Sequence, residues 1–408
     1  MYRLSLAALL LSAAAVSAED WPQWLGPTRD GVSTEKIAPW KSDPEVLWKR
    51  PVGESHSSPV VAGGKLFLHV KADGKEAETV LALDIKTGDP VWEKTYERGP
   101  FQTPFGNGPR ATPAVDGERL FTLGGTGVLT AFATKDGAQL WQVDTLKEFG
   151  AKNLTFGVSA SPLVVEGKVV VQVGAKGASV VAFDAESGKV AWKALDDPAS
   201  YAAPAIRTFG GEKQIVVLTG KNLVGLTPEK GEVLWQFPFR DLLNESSTTP
   251  VMFGDVMLAS SVTAGSVGMK RADKDGKLVT EQVWKAPILT CYFGTPVPFG
   301  KGQALLVTGT LIPPPSATLR CIDTSTGKQV WSKEKVGKYH ATLLRLGDGN
   351  VLMLEEEGDL VLLDGKAGAY KELARSKVCG MSWAHPAISD GVLYVRDAKQ
   401  MFALKMGK

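Results

Sequence analysis

The sequence predicts an all-β chain: an eight-bladed β-propeller of four-stranded blades, closed by an N-terminal strand that completes the last blade. Three observations carry this. A unit of the form Ala-x-Asp-x-x-Thr-Gly-x-x-x-Trp recurs, with Trp92, Trp141, Trp192, Trp235, Trp284 and Trp331 following one another at 43 to 51 residues. Each unit is opened by a short run around a proline, at Pro59, Pro113, Pro162, Pro204, Pro250, Pro296 and Pro386, with Leu343 in that place in one copy. Near the N-terminus, Pro44-Glu45-Val46-Leu47-Trp48 mirrors Gly231-Glu232-Val233-Leu234-Trp235, and the last unit runs out of chain one strand short. A period of 40 to 50 residues holding four short antiparallel strands is a propeller blade.

The elements follow in order. Arg3, the apolar run Leu4 to Val16 and the small residues Val16-Ser17-Ala18 read as a signal peptide over residues 1–18, cleaved before Glu19. A leader segment occupies 19–44, and the propeller fills 45–408. No run approaches the ~18 apolar residues that a transmembrane helix needs, so the mature chain is expected in the periplasm or outside the cell. Within a blade the first strand starts at the opening proline and the second follows a Gly turn. The third ends near Ala-Leu-Asp, and the fourth carries the Trp. Asp84, Asp184, Asp323 and Asp364 belong to the tight turn between the third and fourth strands, where Gly takes a positive φ. They are turn-formers, not acids.

Repetition also decides the tryptophans. Trp48, Trp92, Trp141, Trp192, Trp235, Trp284 and Trp331 are seven of the eleven in the chain. At one place per blade they are expected to dock apolar area between blades, each indole N–H meeting a backbone carbonyl. Function is then expected where the repeats differ. Three positions before each opening stand His56, Arg110, Ser159, Tyr201, Ser247, Phe293, His340 and Trp383, with His385 two residues further on. These should ring one mouth of the central channel. Bulky and ionisable side chains converging there read as a ligand- or partner-contacting surface, or as a plug that fills a funnel. Two long connections reach the same rim, Thr95 to Arg110 and Asp144 to Val158, and bring Phe101, Phe105, Asn107, Phe149 and Phe156 to cover or narrow it. A third extension, Ile312-Pro313-Pro314-Pro315, stiffens a loop of the sixth blade, and Glu355-Glu356-Glu357 reads as a solvated turn.

Composition removes several classes. Forty-six basic against forty-four acidic residues leave a formal charge of +2, which names no nucleic-acid partner. Cys291, Cys321 and Cys379 form neither a Cys-x-x-Cys pair nor a zinc spacing, and read as buried small hydrophobes. There is no Gly-x-Ser-x-Gly, His-Glu-x-x-His or Walker loop. No catalytic residue and no metal ligand is assigned.

The Ala-x-Asp-x-x-Thr-Gly-x-x-x-Trp unit resembles the tryptophan-docking repeat of the quinoprotein (PQQ-binding-like) β-propellers. That group includes PQQ-dependent dehydrogenases and non-catalytic BamB-type assembly factors. The likeness spans about residues 45–408. The segment Asp20-Trp21-Pro22-Gln23-Trp24-Leu25-Gly26-Pro27-Thr28-Arg29-Asp30-Gly31 resembles the opening of exported bacterial repeat proteins, with Leu25 where Arg is usual. The resemblance implies one of two functions. The first is an exported, non-catalytic scaffold that binds a protein, peptide or glycan through the channel mouth. The alternative is a PQQ-dependent oxidoreductase of small alcohols or sugars, with PQQ and calcium as cofactors. Of the set that PQQ's three carboxylates and a calcium would need, the ring offers Arg110 alone and no carboxylate. The adjacent cysteine pair of many alcohol dehydrogenases in this group is absent, and no cofactor is assigned. A BamB-like role is a narrower form of the first reading, without a lipid-anchor cysteine near the cleavage site.

Overall fold

A computed structural model of the chain describes residues 20–275, 277–310 and 313–407; the signal-peptide reading of 1–18 lies outside them. Among the described residues the architecture is eight four-stranded antiparallel sheets, and the one helix is the short Thr145–Phe149. Blade 1 is typical: Val60–Ala62, Lys65–Lys71, Ala77–Asp84 and Pro90–Glu97 pair in that order from the channel outwards. The innermost strands of blades 2 to 7 are Ala114–Asp116, Leu163–Val165, Ala205–Phe209, Val251–Phe253, Val297–Phe299 and Ala341–Arg345. In blades 2 to 6 the strand begins directly after the opening proline; in blade 7 it begins at Ala341, two residues before Leu343. Blade 8 takes Ala387–Ser389, Val392–Arg396 and Gln400–Lys405, and its outermost strand is Glu45–Pro51 from the other end of the chain. Glu45 pairs with Lys405 and Pro51 with Gln400. The ring therefore closes by strand pairing, and that pairing covers a sheet edge at the seam.

The repeat unit has a local cause. In each of seven blades a small residue pairs directly with the Trp on the outermost strand: Ala82, Ala131, Ala182, Gly225, Gly268, Cys321 and, in blade 8, Ala403. A larger side chain there would strike the indole. The register slips by one residue at this place in every blade, the seventh included, where Ala374 stands in place of Trp; in the other blades the β-bulge tips the strand and its Trp towards the neighbouring blade. There the indole lies on the turn glycine of the next repeat. A Cβ added to Gly88, Gly137, Gly188 or Gly231 would come within 2.7 Å of Trp48, Trp92, Trp141 or Trp192 respectively. The glycine thus serves both the positive φ of its turn and the neighbour's ring.

The indole N–H bonds follow suit in five blades, reaching Ile85, Thr134, Ala185, Pro228 and Thr324 carbonyls at 2.8 to 3.1 Å. Two blades depart from the expectation. Trp235 donates to the Gln214 side chain of its own blade at 2.5 Å, because blade 5 carries a longer outer hairpin, Gly265–Lys274 with Lys277–Ala286. The Trp331 N–H has no partner, since the next blade carries the degenerate turn Asp364 to Tyr370. All three cysteines are free and buried, and burial pushes Cys291 up to about 11 and Cys321 and Cys379 up to about 12.

Candidate functional site

The inner strands run down the channel from the ring mouth, so residues later in each strand lie deeper. The leader occupies that deep end and touches every blade. Trp21 exchanges two backbone bonds with Val61 at 2.9 Å, and Pro22 accepts from the Val115 N–H at 2.8 Å. Arg29, fully buried, donates to the Pro162 carbonyl at 2.8 Å and the Ser161 carbonyl at 3.1 Å. Burial, with Arg207 nearby, pulls its guanidinium down to about 9. Arg207 in turn donates to the Arg29 carbonyl at 2.7 Å, and the Trp24 N–H reaches Thr249 Oγ1 at 3.0 Å. Gly31 lies against Val297, Ser33 donates to the Arg345 carbonyl, and Glu35 accepts from the Gly391 N–H. The leader is a plug, and the channel is blind.

Above the plug is a chamber of about 400 Å³. All nine residues predicted to ring the mouth line it: His56, Arg110, Ser159, Tyr201, Ser247, Phe293, His340, Trp383 and His385. Trp24 contributes the floor, edge-on to His385 at 4.7 Å between ring centroids. Phe105 and Phe156 come in from the two long connections and meet at 5.7 Å. The other residues expected from those connections lie elsewhere. Phe101 is buried beneath the loop against Arg98, the Asn107 N–H is tied to Glu54, and Phe149 packs on Phe183. The loop of the sixth blade lies between Gln303–Thr310 and Ser316–Asp323; its Ile312 is outside the described residues.

Six lining residues were missed by counting back a fixed number of residues from the prolines: Trp24 of the leader, Ser161 and Ala203 directly before two of the prolines, and three larger groups. Tyr292 and Tyr339 each immediately precede a ring residue, and Glu245 precedes Ser247 by two. Their signal was present in the sequence as aromatic pairs, Tyr292-Phe293 and Tyr339-His340, at a place where other blades carry small residues. Glu245 accepts the Tyr292 hydroxyl at 2.5 Å, and burial, reinforced by that bond, pushes the phenol far above its usual range.

Trp383 is the centre of the wall. Its ring is stacked with His56 at 5.1 Å and with Phe293 at 5.3 Å, and Phe105 and Tyr339 lie 5.8 and 6.3 Å away. Its N–H donates to Glu356 Oε1 at 2.8 Å, while Glu356 Oε2 accepts the backbone N–H groups of Lys338 and Tyr339 at 2.9 and 2.7 Å. Glu356 is 2% exposed. The acidic run is therefore not simply a solvated turn: Glu355 binds Arg375 on the surface, and Glu356 turns inward to hold the chamber wall.

The ionisable groups of the chamber are largely committed. Arg110 donates to the carbonyls of Gly108, Phe105 and Gly106 and to Thr103 Oγ1, which folds the loop that presents Phe105. The His56 Nε2–H donates to the Phe105 carbonyl at 2.7 Å. Burial holds His56 down to about 4 and His340 and His385 to about 3, so all three imidazoles are neutral at pH 7. Neither ring nitrogen of His340 has a partner, nor has His385 Nε2. A PQQ with calcium fits this donor set poorly. Arg110 is the one basic side chain besides the neutral imidazoles, Glu245 is the one carboxylate, and no asparagine or glutamine lines the cavity. Among the described residues no three His, Cys, Asp or Glu side chains converge as metal ligands.

The ring face also carries exposed apolar side chains, of which Phe105 lines the chamber. Among the described residues the large exposed hydrophobic side chains fall in two places. Nine lie on outermost strands, and the other five, Phe105, Leu242, Leu243, Ile288 and Met381, lie on loops at the ring face. Leu242 and Ile288 are 79% and 70% exposed.

Fold and cavity together define an eight-bladed propeller of the quinoprotein-like class, blind at one end and open at the other through an aromatic chamber. The chain belongs to the family of the outer membrane protein assembly factor BamB, whose sequence profile matches residues 33–105, 76–288 and 265–406. No curated protein sequence matches it. Solved structures share the fold at low identity. The quinohemoprotein alcohol dehydrogenase of Comamonas testosteroni superposes with a TM-score of 0.70 at 16% identity, over 96% of this chain and 81% of that one. BamB of Moraxella catarrhalis gives 0.62 at 13%, over 90% and 98%. A europium-containing methanol dehydrogenase gives 0.64 at 14%, over 95% and 89%. Among the described residues no helix is long and apolar enough to cross a membrane.

Proposed function

We propose that this protein is an exported, non-catalytic binding propeller that docks a polypeptide partner on its ring face, with the aromatic chamber as the seat for an anchoring group. The observation that carries the reading is the blind, aromatic chamber, on a face whose loops carry exposed apolar side chains. A deep pocket on an apolar face is how a few buried anchors supply most of an interface's binding energy. The commitment of Arg110 and Glu245 to neighbouring groups, and the neutrality of the imidazoles, favour recognition over proton or electron transfer. The family's name belongs to an outer membrane assembly factor, which agrees with a protein partner and with export.

The test is photo-crosslinking in the native host, from benzoyl-phenylalanine placed at Ile288 or Met381, with Val190 on an outer strand as control. A discrete adduct from the two rim positions, lost on Trp383→Ala or Leu242→Asp, is the expected result. Equal labelling from all three positions would remove the reading. A second reading, a quinone-dependent oxidoreductase, is favoured by the single carboxylate Glu245 in the chamber. Titration of PQQ with and without calcium, followed by dye reduction over alcohols and sugars, separates the two. Stoichiometric binding dependent on Arg110 and Trp383, together with turnover, would replace the first reading by the second.

A further inference from the structure

The chamber holds unpartnered hydrogen-bonding capacity inside an apolar enclosure. His340 and His385 are 2% and 4% exposed, their ring centroids are 6.2 Å apart, and three of their four nitrogens have no partner. A neutral imidazole offers one donor and one acceptor. Left unpaired in a buried site, such groups have lost the hydrogen bonds that water would give them, so a ligand that pairs them is favoured. The packing around them is aromatic, with Phe293 edge-on to His340 at 5.9 Å and Trp24 edge-on to His385. Rotation about the imidazole χ2 torsion, which is broad, turns a nitrogen towards the cavity that both rings line.

We propose that the anchor admitted to this chamber is a tyrosine side chain of an extended polypeptide segment, its ring held among Trp383, Phe293 and Phe105 and its hydroxyl meeting His340 and His385. This rests on the reading above, that the ring face docks a polypeptide. The plug allows a side chain to enter but no chain to pass through. A phenol hydroxyl both donates and accepts, matching a pair of neutral imidazoles, whereas an indole N–H only donates and a phenylalanine leaves both imidazoles unpaired. A lysine or carboxylate would be desolvated against aromatic walls with its charge uncompensated at the deep end. The exposed apolar residues Leu242, Leu243, Ile288 and Met381 on loops of the same face offer contacts to the flanking residues of a peptide, which a free phenol or a sugar does not possess.

The experiment titrates the mature protein, following tryptophan fluorescence and heat, with an uncharged decapeptide bearing one central tyrosine between leucines. The same peptide with phenylalanine or lysine in that place, and cellobiose, complete the set. The tyrosine peptide is expected to bind at least about tenfold more tightly than the phenylalanine peptide, because a site built around a hydroxyl rejects the analogue lacking it. Cellobiose and the lysine peptide should not compete. In the paired variant His340→Leu with His385→Phe, an apolar replacement of similar bulk that is expected to fold, the preference should disappear or reverse. Equal affinity for the tyrosine and phenylalanine peptides, or a preference that survives in the paired variant, overturns the tyrosine assignment and leaves polypeptide docking standing. So does tighter binding of the lysine peptide. Binding of cellobiose with none of the peptides overturns both, as does the absence of any binding together with rim positions that yield no crosslink.

Discussion

Glu356 gathers three N–H donors from two segments, and the position of Trp383 depends on that gathering. Glutamine at this position keeps the shape but points an NH₂ at one of those donors. Glu356→Gln is therefore expected to cost about 1 to 3 kcal/mol, measured by urea unfolding, and to shift Trp383 emission; a loss under about 0.5 kcal/mol would show that the bonds are dispensable. The histidines give a second prediction at this scale. Their folded pKa values, about 4 for His56 and about 3 for His340 and His385, lie below the ordinary 6.5. Between those limits the unfolded chain binds more protons than the folded one, so stability rises with pH there and is lost on acidification. Each imidazole contributes up to about 1.4 kcal/mol per pH unit inside its window. Glu78, held down to about 2 by His69 and Tyr96 against its burial, acts in the same direction at lower pH. Denaturation midpoints at pH 7, 6, 5 and 4 should fall progressively, and less steeply in the His340→Leu with His385→Phe variant. An unchanged midpoint from pH 7 to pH 5 would refute the assignment of neutral imidazoles. None of this was legible beforehand at Glu356, where three consecutive glutamates before a glycine have the composition of an exposed turn.

The blades were readable as elements because their pattern is local. The Asp-x-x-Thr-Gly turn, the small residue opposite Trp and the alternation of apolar strands all act within one repeat or its neighbour. The leader was readable only as a boundary. Its partners are dispersed over eight blades, from Val61 to Gly391, and no local pattern in Trp-Pro-Gln-Trp announces contacts so distant in the chain. Likewise the ring positions could be found by counting back from each proline, but Glu245, Tyr292 and Tyr339 arrive by loop geometry that differs from blade to blade. Arg29 tests the leader as an element. Arg29→Ala removes the donors that satisfy the Ser161 and Pro162 carbonyls and leaves a cavity beneath the floor. A loss of about 3 kcal/mol is expected from these two effects together. Trp24→Ala is expected to lower binding at the chamber in addition to stability, because it removes the floor itself. Unfolding curves that leave both variants at the wild-type midpoint would mean that the leader only rests on the channel.

At the scale of the whole molecule, one noncovalent seam holds the ring shut. The Glu45–Pro51 strand brings Trp48 to Gly88 of blade 1 and pairs with Gln400–Lys405, so the two ends of the propeller meet in blade 8. The continuous chain crosses every junction between blades, from Pro51 into blade 1 included, so the pairing inside blade 8 is the one closure made by hydrogen bonds and packing, and it is the expected place for the ring to open. Lys49 and Phe402 are register partners across it. Directly opposed residues of an antiparallel pair bring their Cβ atoms within about 4.5 to 5.5 Å, near the span that a disulfide bridges. The three native cysteines are buried with raised thiol pKa values, so oxidation should select an engineered pair. Lys49→Cys with Phe402→Cys, oxidised, encloses nearly the whole propeller in one covalent loop. Chain-entropy arguments give up to about 5 kcal/mol for a loop of this length, less any strain. If unfolding begins at the seam, the crosslink should slow it by orders of magnitude while chamber binding stays unchanged, and reduction should restore the wild-type rate. An oxidised protein that unfolds as fast as the reduced one would place the first break elsewhere. The junction after Trp331, whose indole N–H lacks a partner, would then be the next to cross-link.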